Sequence, residues 1–250
     1  MNNLKDKVAL ITGSGSGIGR AAAVLLGQRG ATVIVHDIVA EGAAETVRLI
    51  KQAGGQARAW IADVSDPRAM RRVVSEVESS FGKVDILVNN AGTVNDFCPL
   101  EEVTEEMFER SMAVHVRGTV FTTQAVIRGM KERRYGKIIN ISSIQGTVGN
   151  PNGATYNAAK GALLSMAKGW AKEFGPFNIM VNAVAPGPTL TPMVATKLKP
   201  EYFTERAKTI PLGRWGTPED MAYAIAFLAG PESDFVTGQC LSPNGGCVIT

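Results

Sequence analysis

Short apolar, β-branched runs alternate along the chain with longer stretches of helical periodicity. Strands are predicted at Val8–Thr12, Thr32–Asp37, Ala57–Ala62, Ile86–Asn90, Lys137–Ser142, Ile179–Val184 and Gln239–Leu241. Continuous apolar runs of this length suit strands buried on both faces. Helices are predicted between them at Gly19–Arg29, Ala40–Ala53, Pro67–Phe81, Thr104–Arg134, Tyr156–Phe174 and Pro218–Leu228. Pro67 and Pro218 suit a first helical turn, and Asp66 and Thr217 before them are good capping residues. Strand–helix repetition predicts an α/β fold: one doubly wound parallel sheet of about seven strands, helices on both faces. In such a sheet the ligand crevice lies outside the carboxyl ends of the strands. Gly17, Asp37, Asp63, Asn90, Ser143 and Gly187 all fall at or just past those ends. No repeat or linker divides residues 1–250, so a single domain is expected.

Composition narrows the function. At 250 residues, 45% hydrophobic and 20% charged, the chain reads as an ordinary globular domain. A net charge of +3 is too small to argue for nucleic acid. Cys98, Cys240 and Cys247 match no metal or redox spacing, so free thiols and no metal are expected. No signal peptide is visible and no apolar run reaches the roughly 20 residues that cross a bilayer. A cytoplasmic enzyme that works away from membranes is the expectation.

The first strand runs into Gly13-Ser-Gly-Ser-Gly17-Ile-Gly19-Arg20. Glycines here permit positive φ and close approach of backbone N–H groups to a pyrophosphate, and the helix start behind them adds partial positive charge. The strict Gly-x-Gly-x-x-Gly spacing fails at Ile18, and no Lys-Ser or Lys-Thr completes a Walker loop. What stands is Thr12-Gly-x-x-x-Gly-x-Gly19. Asp37 ends the second strand, near the spacing at which an acid accepts the adenosine ribose hydroxyls. That acid repels a 2′-phosphate, and neither Ser16 nor Ile38 is basic, so NAD is expected over NADP.

Tyr156 and Lys160 stand at i and i+4, one face of a helix. A cation beside the phenol favours the phenolate and lowers its pKa from about 10. Such a tyrosine exchanges a proton near neutral pH, as alcohol–ketone interconversion requires. Ser143, at the end of an apolar run, supplies a hydroxyl to polarise the same substrate oxygen.

Together these residues resemble the short-chain dehydrogenase/reductase family, in its subgroup of about this length. The resemblance covers nearly the whole chain and implies several roles. The Thr12–Gly19 turn, with Gly13, Ser16, Gly17, Ile18 and Gly19, is similar to the family's cofactor turn. Asp63-Val64 resembles the pair that contacts adenine, and Asn89-Asn90-Ala91-Gly92 the signature ending the fourth strand. Ser143, Tyr156 and Lys160 fall on the catalytic positions, and Lys160 is implied to bind the nicotinamide ribose. Pro186-Gly187 falls on the turn beside the nicotinamide. The backbone at Thr189 and the side chain of Thr191 are implied to hold the carboxamide. The proline-rich segment 188–211 resembles a substrate lid. Homotetramers, sometimes dimers, are implied by the same resemblance.

One position departs from the family. Where Val-Asn-x-x-Gly is usual, this chain has Val114-His115-Val116-Arg117-Gly118. The family asparagine helps hold a water that links the lysine to solvent. His115 is expected to keep that relay and, titrating near pH 6.5, to slow it as the imidazole protonates.

The expected reaction is hydride transfer between NAD(H) and a secondary alcohol or ketone, with Tyr156 as general base or acid. Val94, Asn95, Ile144, Gln145, Asn152 and Gly187 are expected to line a neutral, modestly polar pocket. Gln145 and Asn152 either bond a second substrate oxygen or brace a loop. Two alternatives stand beside this reading. One is an NADH-dependent 3-oxoacyl thioester reductase, for which Lys197, Lys199 and Lys208 offer a basic groove. The other is a dinucleotide-binding regulatory protein without catalysis.

Overall fold

The computed structural model describes residues 3–94, 97–196 and 200–249. Seven strands form one sheet: β1 Val8–Thr12, β2 Thr32–Asp37, β3 Gln56–Ile61, β4 Ile86–Asn89, β5 Gly136–Ile141, β6 Ile179–Val184 and β7 Cys240–Leu241. Their order is β3-β2-β1-β4-β5-β6-β7, and every neighbouring pair is parallel. The order reverses direction between β1 and β4, the place where an open α/β sheet forms its ligand crevice.

The helices are α1 Gly17–Gln28, α2 Ala40–Gln52, α3 Pro67–Phe81, α4 Glu105–Met112, α5 Gly118–Arg133, α6 Gln145–Val148, α7 Ala154–Phe174, α8 Pro192–Ala195, α9 Pro200–Lys208 and α10 Pro218–Ala229. Both faces of the central strands β1, β4, β5 and β6 are covered, which explains their lack of polar alternation. On one face Ala22, Leu26 and Ile225 from α1 and α10 pack on Ile11, Val33 and Val88. On the other, Val73, Val77, Val126, Met130 and Ala167 pack on Leu10, Leu87 and Val181.

Asp66 caps α3 by accepting from the Arg68 N–H at 2.8 Å. Thr217 and Asp220 form a reciprocal capping box on α10. At the amino edge of the sheet the buried Lys137 ammonium meets Asp234 at 2.7 Å and Ser233 at 3.1 Å, fixing the turn that leads to β7.

One expectation needs correction. The single helix expected over Thr104–Arg134 is α4 and α5 joined by a π-turn at Ala113–Arg117. Val114, His115 and Val116 are poor helix formers in sequence, and one extra residue in the turn brings His115 inside, where it is 1% exposed. Arg133 and Arg134, exposed at the end of α5, donate to the carbonyls of Val84 and Pro176. Other boundaries shift by one or two residues, as helix and strand ends do.

Candidate active site

The cofactor turn is held from below. Thr12 Oγ1 accepts from the N–H groups of Asn90 and Ala91, both at 3.0 Å. Asn90 Nδ2 returns bonds to the carbonyls of Thr12 and Gly13, both at 2.9 Å. Gly13 has φ of +63°, and a Cβ there would lie 2.7 Å from Ala91 Cα. Only glycine fits that position.

Ser14, which the sequence reading passed over, ties the turn to β2. Its N–H donates to the His36 carbonyl at 3.0 Å, and its hydroxyl bonds the Ile11 carbonyl at 2.8 Å. The hydroxyl-bearing turn residue could have been singled out, because Ser and Thr recur where backbone groups need local partners.

Ser16 is exposed at the start of α1, while Gly17, Ile18 and Gly19 form its first turn. Their N–H groups have no intrahelical acceptor and suit a pyrophosphate. Asp37 Oδ2 accepts from the Gly15 N–H at 2.7 Å and Oδ1 from the Val39 N–H at 3.0 Å. A carboxylate has about four lone-pair sites, so acceptor capacity is left for ribose hydroxyls. Asp63 is exposed and Val64 buried at the end of β3. The turn, its helix start and Asp37 fit a nicotinamide dinucleotide.

The expected catalytic trio assembles past the end of β5. Ser143 is 8% exposed, and its side chain lies near enough to the Tyr156 phenol to pull that group's pKa down. The Gln145 N–H fixes Ser143 Oγ at 3.1 Å. Lys160 Nζ lies 5.5 Å from the centre of the Tyr156 ring and donates to the Ile141 carbonyl at 2.8 Å. Ser142 Oγ bonds the Lys160 carbonyl at 2.7 Å, clamping α7 to the strand end. The i, i+4 pairing therefore holds.

Its electrostatics differ from expectation. Burial of the phenol raises the Tyr156 pKa, and the nearby Ser143 side chain offsets this only in part. Burial lowers Lys160 to about 7, so its charge is only partial at neutral pH. Spacing on a helix shows the neighbour but not the loss of solvent around both groups.

His115 also departs from expectation. Its Nε2 lies 3.0 Å from the Thr93 carbonyl oxygen, and its ring stands edge-on to Tyr156 at 5.6 Å. Burial, then the nearby Lys160 ammonium, hold its pKa down to about 3, so it does not titrate near pH 6.5. The imidazole is neutral across the physiological range. A Cβ on Gly92 would sit 3.1 Å from His115 Nδ1 and 3.6 Å from Lys160 Nζ, so this glycine keeps the two groups close.

The residues expected beside the nicotinamide follow β6. The Gly187 N–H donates to the Pro243 carbonyl and the Ile144 N–H to the Pro186 carbonyl, both at 3.1 Å. A Cβ on Gly187 would lie 2.5 Å from Asn244 Cα, so backbone meets backbone here. Thr189 is buried and pairs as a bridge with Gly216, anchoring the root of segment 188–211. Thr191 leads into α8, and its side chain lies over Gly17. The segment expected as a substrate lid contains α8 and α9. Asn95 of the expected pocket, and Lys197, Leu198 and Lys199, lie outside the described residues.

Phe97 was not foreseen. Its ring is 5.7 Å from Tyr156, and it is 40% exposed. All three cysteines are free, and among the described residues no cluster of His, Cys, Asp or Glu suits a metal. No helix among them is long and apolar enough to cross a membrane.

Comparison with known proteins agrees with this geometry. Residues 13–248 match a family model described as enoyl-(acyl carrier protein) reductase. A 3-oxoacyl-(acyl-carrier-protein) reductase of Thermotoga maritima is 43% identical over 98% of this chain and 99% of its own length. The 5-keto-D-gluconate 5-reductase of Escherichia coli K12 is 38% identical over 99% and 97%. The crystal structure of levodione reductase superposes with a TM-score of 0.95 at 30% identity, covering 97% of this chain and 98% of that one.

Proposed function

Because the chain belongs to the short-chain dehydrogenase/reductase family, we propose that it interconverts a neutral secondary alcohol and its ketone with NAD(H). One observation carries this reading. Ser143, Tyr156 and Lys160 come together past the end of β5, with Lys160 Nζ 5.5 Å from the centre of the Tyr156 ring and Ser143 near enough to the phenol to pull its pKa down.

Bound nicotinamide supplies the hydride acceptor. Ser143 holds the substrate oxygen against Tyr156, and the tyrosine takes its proton in the oxidative direction. Lys160 would bind the nicotinamide ribose and, when charged, favours the phenolate. His115 stays neutral and holds one open nitrogen, Nδ1, on the Lys160 side. In this reading it keeps a relay to the lysine without a pH limb of its own. Segment 188–211 would act as the substrate lid, and Thr189, Thr191 and Pro186-Gly187 would hold the nicotinamide end of the cofactor. Asp63 and Val64 flank the adenine.

Asp37 supports NAD, since a 2′-phosphate would meet its carboxylate. A second reading, reduction of 3-oxoacyl thioesters, draws support from the Thermotoga relative. Assembly as a homotetramer is part of the proposal, supported by exposed Tyr223, Phe227, Phe235 and Leu241 on α10 and beside β7. Initial rates with NAD and NADP against secondary alcohols, matching ketones and a 3-oxoacyl thioester test all of this, and light scattering tests the assembly. Preference for NADP, or turnover of the thioester alone, rejects the first reading.

A further inference from the structure

Three consecutive residues at the end of β5 address the Tyr156–Lys160 pair, each in a different way. The Ile141 carbonyl accepts from Lys160 Nζ at 2.8 Å, and the Ser142 hydroxyl donates to the Lys160 carbonyl at 2.7 Å. Ser143 draws the Tyr156 pKa down. Of the three side chains, that of Ser142 stands outside the expected catalytic trio. It is 2% exposed and spends its hydroxyl on a single backbone oxygen of α7. A carbonyl has a second lone pair, so a helical one can take this bond without giving up its place in the helix.

The anchor points are rigid. The Ser142 N–H donates to the Val184 carbonyl at 2.7 Å, and Ile141 pairs with Val184 in register, so both belong to the sheet. Helix α6 presses on the same turn of α7. A Cβ on Gly146 would lie 2.6 Å from the Lys160 carbonyl carbon and 2.8 Å from its oxygen. One on Gly161 would lie 3.4 Å from the Gly146 carbonyl oxygen. Backbone therefore meets backbone at the residue that carries the ammonium.

Lysine is a compact charge on a flexible four-carbon stem. Tying both the carbonyl and Nζ of Lys160 to adjacent residues of one strand end removes much of that freedom. Nζ then stands 5.5 Å from the centre of the Tyr156 ring. An ammonium has three N–H donors, so the bond to Ile141 leaves two for other partners. Tyr156 on α7 and His115 on the π-turn are the titratable groups beside it.

We propose that Ser142 is a positioning residue: its hydroxyl fixes where Lys160 sits on the end of β5, and so keeps the ammonium beside the Tyr156 ring. The kinetic part of this inference rests on the alcohol–ketone reading above.

Ser142→Ala tests it by two readouts on the purified protein. A misplacement of about 1 Å costs up to about 100-fold, so kcat for secondary alcohols with NAD should fall about 10–100-fold. The alcohol KM should stay within about threefold. Ser142→Cys, which fills the site but donates only weakly, should lose nearly as much, which separates the bond from packing. The cysteine variant also carries both readouts should the alanine variant not fold. The second readout needs no turnover: NMR titration of protein labelled with 13C-lysine, Lys160 being assigned by its absence in Lys160→Arg. Burial holds the wild-type midpoint at about 7. The Ile141 bond favours the ammonium, so loosening its seat should lower the midpoint by about 0.5–1 pH unit. A kcat within twofold of wild type in either folded variant, or a midpoint that stays in place, overturns the inference. Failure of the wild type on every alcohol and ketone removes the alcohol–ketone reading instead, and the lysine titration then decides the placement by itself.

Discussion

The two halves of the crevice are finished to different degrees. Around the Gly13–Gly19 turn nearly every polar group has its partner: Thr12, Ser14, Asp37 and Asn90 each make at least two hydrogen bonds. His36 below is the exception, with neither ring nitrogen paired and its pKa pushed down to about 4 by burial. Around Tyr156 the balance reverses. Orphaned atoms gather, and burial displaces Tyr156 upward and Lys160 and His115 downward. Phosphates need a rigid cradle of backbone donors, which the fold can finish alone. Proton transfer needs groups poised off their resting pKa, and holding them so leaves polar atoms unpaired.

The largest way to break this contrast is Tyr156→Phe. Turnover should fall by about 10²–10⁴-fold, while NADH affinity, set in the other half, stays within about threefold. Rapid-mixing rates and a fluorescence titration check the pair, and joint loss would erase the division. Next is Asp37→Asn, expected to raise KM for NAD about 10–100-fold with little change in kcat, because a charged acceptor is removed. Discrimination against NADP should shrink with it, and unchanged discrimination would leave Asp37 without its assigned part.

Acid stability sharpens the comparison further. His36 and His115 bind a proton less readily folded, at about 4 and about 3, than unfolded at about 6.5. The unfolded chain therefore holds more protons between those values, and stability drops as pH falls from about 6.5 toward 3. Each histidine contributes a slope of at most about 1.4 kcal/mol per pH unit. Urea midpoints for His36→Asn and His115→Asn should show flatter slopes. In rate profiles between pH 5 and 9, His115→Asn should keep the wild-type acid limb; a moved limb means that the imidazole titrates after all. The smallest effect is expected far from both halves. Thr217→Ala should cost about 1 kcal/mol in urea with kinetics unchanged.

Much of this was legible without coordinates. The central strands could be read because both of their faces are covered, so apolar runs appear unbroken. Asp66 and Thr217 announced their helices because caps are local chemistry. Gly13, Asp37, Ser143, Tyr156 and Lys160 could be named because strand ends and helical spacing are sequence-local relations. Harder to see were the π-turn at His115, the Ser14 tether and Phe97 against Tyr156, each of which depends on residues distant in sequence.

The chain by itself determined the alternation of elements, the glycine turn, the acid after β2 and the Tyr–Lys pair, since each follows from neighbours within a few positions. Only the tertiary structure decided the charge state of that pair and of His115. Desolvation is a property of everything packed around a group, and no spacing along the chain records it.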